Sequence, residues 1–206
     1  MWKSDNKKTD LPPGDTSPTV SAPVVENTKV NDKLSEYKNE ELGFAVKYPS
    51  VWTIKDQDGV VTFSIPLPKS DTSTVSKLES KISFAPGKCA FPPVTTIKDR
   101  GTLKTDVVTF NYISMANSVQ GKSYFDKMYS LQKDSVCYFF SLSTVTDSPA
   151  GKGLKGSELT KMNNNNKAVI DSTNEAFSAM VKSFSYVVSK EGQDEATVRP
   201  GTPVKK

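Results

Sequence analysis

The residues of this chain that could do chemistry are few. Two cysteines stand at Cys89 and Cys137, and no histidine occurs in its 206 residues. Without imidazole there is no Ser-His or Cys-His pair, the commonest general base is missing and there is no imidazole metal ligand. The cysteine spacing fits no zinc motif, and two thiolates alone make a poor zinc site. In an oxidising compartment the pair would close one disulfide. A loop of that length would stabilise the fold by about 4 kcal/mol in the chain-entropy model. The alternative is two separate buried thiols in a reducing compartment, each packing as a small hydrophobe. We expect the disulfide, because the ends of the chain, described below, point outside the cytosol.

The remaining motifs are weaker. Gly151-Lys152-Gly153-Leu154-Lys155-Gly156 matches G-x-G-x-x-G in letters. Phosphate binding needs a strand before it and a helix opening at its end, within a βαβ unit. Its neighbours read as loop and the sheet as antiparallel, so a solvated loop is expected. Asp56-Gln57-Asp58-Gly59 opens like a calcium loop, but the glycine comes too early and position twelve is Leu67 rather than Glu. A hairpin turn is expected there, and no metal or other cofactor. Ser-x-x-Lys occurs at Ser4 to Lys7, Ser35 to Lys38 and Ser130 to Lys133. A Ser-Lys hydrolase needs that lysine held beside the serine in a dry pocket, with further motifs that are missing here.

The elements that must position these residues read mostly as strands. Phe44, Val46 and Tyr48 alternate on one face up to Pro49, and a second strand starts near Trp52. We read this as a proline-pinned hairpin, preceded by a short strand at Glu36 to Lys38. Val60 to Ile65, Lys77 to Phe84, Thr95 to Asp99, Val107 to Met115, Lys122 to Leu131 and Val136 to Val145 follow as strands. The last is apolar on both sides near its start, as a central strand would be. Residues 147–166 read as loop. Ser172-Thr173-Asn174-Glu175 matches a capping box, and Phe177, Met180, Val181 and Phe184 follow at helical spacing. That predicts an amphipathic helix of about three turns, with a closing strand over 184–188. The aromatics Tyr37, Phe44, Tyr48 and Trp52, with Phe63 and Tyr138, would line a ligand-binding face or pack as core, and core is the commoner use.

Composition divides the chain into three. Hydrophobic residues make up 35%, which is low for a packed domain. The deficit is local. Residues 1–33 and 189–206 are polar, and 34–188 hold enough Phe, Tyr, Val and Ile for one core. A net charge of +4, dispersed among both signs, is too mild for nucleic acid. No stretch is long and apolar enough to cross a membrane. Met1-Trp2-Lys3-Ser4-Asp5-Asn6-Lys7-Lys8, with the Pro, Ser and Thr that follow, reads as the basic flank of a membrane anchor and then an extended stalk. The expectation is a stalk over 1–33, a domain over 34–188 and a disordered tail over 189–206, with any membrane attachment lying upstream of residue 1.

Gly43-Phe44-Ala45-Val46-Lys47-Tyr48-Pro49-Ser50-Val51-Trp52 resembles the opening of PsbP-like and Mog1-like domains, and Met180 to Tyr186 resembles the close of bacterial members of that group. The resemblance implies an α+β fold, an antiparallel sheet between helices in an α/β/α sandwich. It also implies a bacterial, exported or lipid-anchored protein. This chain departs in having little helix for the second face, which the segment 147–166 would have to supply. No functional residue of the photosynthetic or nuclear-transport members maps onto it.

The expectation for function is therefore a non-catalytic, extracytoplasmic binding or assembly-accessory domain of the cell envelope, a monomer with a protein or cell-wall partner. The alternatives are an envelope hydrolase using Ser or carboxylate groups, and a small-ligand carrier with an aromatic cleft.

Overall fold

A computed structural model describes residues 33–93 and 96–187. The expected stalk, Lys33 apart, and the expected tail lie outside these residues, as does Ser4 to Lys7. In chain order the strands are β1 (Leu34–Asn39), β2 (Phe44–Pro49), β3 (Thr53–Gln57), β4 (Val60–Ser64), β5 (Val75–Pro86), β6 (Ile97–Lys104), β7 (Thr109–Val119), β8 (Lys122–Lys133) and β9 (Val136–Asp147). Among the described residues a 3-10 turn at Pro149–Lys152, a helix α1 (Gly156–Lys182) and a two-residue strand β10 (Ser185–Tyr186) follow them.

The strands form two sheets, one in the order β1-β2-β10 and one in the order β3-β4-β5-β9-β8-β7-β6. All pairings are antiparallel. β9 is the middle strand of the seven, as its two-sided apolar pattern predicts. The expected hairpin across Pro49 does not form. β2 pairs with β1 and β10, while β3 pairs with β4 in the other sheet. Proline supplies no N–H to continue a ladder, so the chain turns at Ser50 and changes sheet instead. The true hairpin is β3-β4, closed by Asp58 and Gly59 at φ 54° and 73°. Both residues are left-handed, which is why Asp-Gly sits at this two-residue turn.

Alternate residues of the large sheet meet α1 and the small sheet. Phe63, Ile82, Phe110, Tyr129, Leu131, Tyr138, Phe140 and Leu142 belong to one core cluster with Phe44, Val46, Phe177, Met180, Val181 and Phe184. Phe184 is its hub: its ring lies 6.0 Å from Phe44, 5.7 Å from Phe110 and 5.9 Å from Phe140. Helix and small sheet thus share one layer, and the large sheet is the other. Among the described residues no helix covers the sheet's second face.

The helix is much longer than the sequence pattern predicts. It has 27 residues and begins at Gly156, so the expected loop over 147–166 is helical through its second half. It joins the same layer as Phe177 rather than the second face. The expected capping box lies in its interior, where the Ser172 hydroxyl donates to the Val169 carbonyl three residues back. The hidden half of the helix carries polar groups inward. Asn166 is buried; its carbonyl oxygen accepts from the Ser73 hydroxyl and the Thr74 N–H at 2.7 and 2.8 Å, and its amide donates to the Thr74 hydroxyl at 2.8 Å. Asn165 donates to the Thr72 carbonyl. Two residues of the asparagine run therefore clamp the helix onto residues 72–74. With Met162 the one buried apolar side chain in this half, the apolar stripe is too weak to read.

Candidate functional site

The aromatic residues singled out from the sequence come together, but as core. Phe44 is fully enclosed and Trp52 is 5% exposed. Tyr37 and Tyr48 are half-buried and pack against the same cluster through Phe63. Phe44 and Trp52 thus offer no surface to a ligand. Tyr37 also links the two sheets: its hydroxyl donates to Asp56 at 2.5 Å, tying β1 of the small sheet to β3 of the large one. Burial and then this carboxylate push its pKa up to about 12.

The Ser-x-x-Lys pairs fail on strand geometry. Residues three apart on a strand point to opposite faces. On β8, Ser130 is buried, while the Lys133 ammonium lies 3.9 Å from the centre of the Tyr186 ring. On β1, Lys38 pairs with Glu40. The glycine motif does follow a strand and does run into a helix, which corrects the expectation of loop on both sides. No parallel crossover results, because β10 beyond the helix pairs antiparallel with β2 in the other sheet. Lys152 of the motif donates to the Ser70 carbonyl instead. Among the described residues no group of three or more Cys, Asp or Glu side chains gathers as for a metal.

Cys89 and Cys137 are bonded, with their Cα atoms 5.1 Å apart. Cys137 lies on β9 with its side chain on the second face of the large sheet, since Tyr138 and Phe140 face the core. The disulfide therefore pins the crossing after β5 onto that second face. Gln132 reinforces it: its carbonyl oxygen accepts the Cys89 N–H at 2.7 Å and its amide donates to the Gly87 carbonyl at 3.0 Å.

The register lays out the rest of this face row by row. One row runs Lys55, Thr62, Lys81, Ser141, Met128, Ile113, Arg100 from β3 to β6. The neighbouring rows place Phe139 beside Ser83 and Ser130, and Met115 beside Asp126. Ile113 and Cys137 are buried yet stand outside the main core cluster, because they are covered from this side. Phe139, Met115 and Met128 are only half-buried. Sequence periodicity hides this face, since its apolar residues sit singly on different strands and meet only through the pairing. On β5, within this face, Lys77 and Lys81 both reach Glu79, at 3.2 and 3.0 Å. Burial raises the Glu79 pKa, but the two ammonium groups outweigh it and hold the carboxyl below its ordinary value. Beside the pinned crossing, Phe91, Ile113 and Arg100 border a notch of about 460 Å³. A larger open groove lies on the opposite, helix-bearing side, between α1 and the β7-β8 hairpin.

No family model matches this chain, and no curated protein does. Among solved structures, it is similar to the Ran-binding protein Mog1p of Saccharomyces cerevisiae, at 9% identity and a TM-score of 0.48, over 75% of this chain and 96% of that one. It is also similar to a protein from Bacteroides thetaiotaomicron VPI-5482, at 14% identity and a TM-score of 0.41, over 77% of this chain. The chain spans 49% of that protein's length. At such scores neither likeness carries over an activity or a partner.

Proposed function

We propose that this chain is a non-catalytic binding domain working outside the cytosol, which docks a protein partner on the open face of its seven-stranded sheet. The observation that supports it best is the Cys89–Cys137 bond, which braces that face at one end. Disulfides persist in oxidising compartments and are rare in reducing ones. The face offers what a partner needs: half-buried Met115, Met128 and Phe139 among small hydroxyl side chains, with charges at its borders. Methionine adapts its shape to a partner at low cost. The polar segments 1–33 and 189–206 act in this reading as a stalk and a tail.

The test uses the full chain in intact cells. A photo-crosslinking residue at Ser141, in the centre of the open face, should give a discrete protein adduct, and Met128→Glu should abolish it. The same probe at exposed Asn164 on the helix should give none. An adduct from Asn164 alone, or one from Ser141 that survives Met128→Glu, would remove the docking surface. Free thiols at both cysteines, trapped by alkylation in the cell, would remove the extracytoplasmic placement.

A further inference from the structure

The groove on the helix side is a separate feature, and its chemistry is specific. It holds about 640 Å³ between the first half of α1 and the ends of β7, β8 and β9. Its apolar side chains are Phe125, Pro149 and Ile170, all half-buried. Two lysines and two aspartates line it, and each is already paired within its own wall: Lys122 with Asp147 at 3.4 Å between the strands and Lys167 with Asp171 at 2.5 Å along the helix. The groove therefore offers no net charge, which argues against phosphates, nucleic acids and strongly charged peptides.

The uncharged polar groups are of one kind. The Ser118 and Ser123 hydroxyls stand 3.1 Å apart, and the exposed Asn163 amide carries donor and acceptor side by side. The local backbone is already used, with the Ser148 N–H donating to the Gly121 carbonyl at 2.7 Å, so a peptide main chain finds no free ladder there. An apolar ring with small neutral hydroxyl and amide groups around it suits a ligand with C–H faces and many hydroxyl or acetamido groups. Farther along β8, on the same side as Phe125, the Lys127 ammonium lies 5.5 Å from the centre of the Tyr112 ring and 5.2 Å from that of Tyr129. The polar and aromatic lining thus continues along the strand.

We propose that this groove binds a neutral glycan chain, with Phe125 stacking against a sugar ring and Asn163 and the two serines bonding its hydroxyl or acetamido edge. The site lies on the opposite side of the sheet from the protein-docking face, so either can fail without the other.

Amide chemical-shift titration of the full chain tests it, with chitotetraose and cellotetraose as neutral probes and inorganic phosphate as the charged one. The expected result is saturable shifts at Ser118, Ser123, Phe125, Asn163 and Ile170 with at least one glycan. Phe125→Ala should weaken that binding about tenfold, as the loss of one aromatic contact would. Asn163→Ala, at an exposed position that leaves the core untouched, should weaken it too. No saturable shift with either glycan, shifts centred on Met128 instead, or displacement of the glycan by phosphate would overturn the proposal.

Discussion

Asn166 shows how much one side chain decides here. Its amide makes three hydrogen bonds to Ser73 and Thr74 at a buried position. Asn166→Ala leaves the Ser73 hydroxyl and the Thr74 N–H without that acceptor in the interior, so the expected cost is about 3 kcal/mol by urea denaturation. Asn165→Ala, nearer the surface, should cost about 0.5–1 kcal/mol in the same experiment. Tyr37 gives a pH signature. Its pKa is about 12 in the fold against 10.0 ordinarily. The folded chain therefore keeps a proton that the unfolded chain releases first, and stability falls as pH rises through that window. Below the ordinary value the contribution is fully present. Tyr112, Tyr138 and Tyr186 are shifted upward as well, so tyrosinate absorbance should show a late-titrating set, and Tyr37→Phe should remove one group from it together with its share of the alkaline loss. Neither role was legible in the sequence: Tyr37 looks like any alternating strand aromatic, and an asparagine inside a run of four looks like loop.

At the scale of elements, the strands were legible and the helix was half legible. Period-two alternation marked β2, β4 and β7 because each turns one face to the core, and a two-sided apolar pattern marked β9. The Asp-Gly turn between β3 and β4 was readable from the backbone habit of its residues alone. The exchange of sheets at Pro49 was not, since a proline says that a ladder ends and not where the chain goes next. The beginning of α1 was hard to see for a physical reason: its inward positions carry Met162, then the polar Asn166 and Thr173, and only from Phe177 onward does it turn a run of apolar residues to the core. A capping box is a four-residue pattern, and Ser172 to Glu175 matches it by composition within a helix already running. Ser172→Ala discriminates the two placements. At a true N-cap it would cost about 1 kcal/mol. Inside the helix, where alanine is the better former, it should be neutral or stabilise by a few tenths of a kcal/mol, which thermal or urea unfolding can read.

For the whole molecule, Phe44 is where the layers meet. Its ring contacts Tyr37 on β1, Phe84 on β5, Tyr138 on β9 and Phe184 after the helix. Phe44→Ala should cost about 4 kcal/mol, and fluorescence and circular dichroism should still report one coincident transition, because the two layers share this core. Separate transitions would mean that the small sheet folds apart from the large one. By itself the amino-acid order determined the strand-rich α+β class, the middle place of β9 and the limited catalytic repertoire of a chain without histidine. These follow from local periodicity and residue chemistry, which need no knowledge of distant neighbours. Only the tertiary structure decided which face of the large sheet stays open, that the crossing at Cys89 braces it, and that a charge-balanced groove lies beside the helix. Each of these joins residues far apart in the chain, and strand pairing and packing, which no short pattern encodes, bring them together.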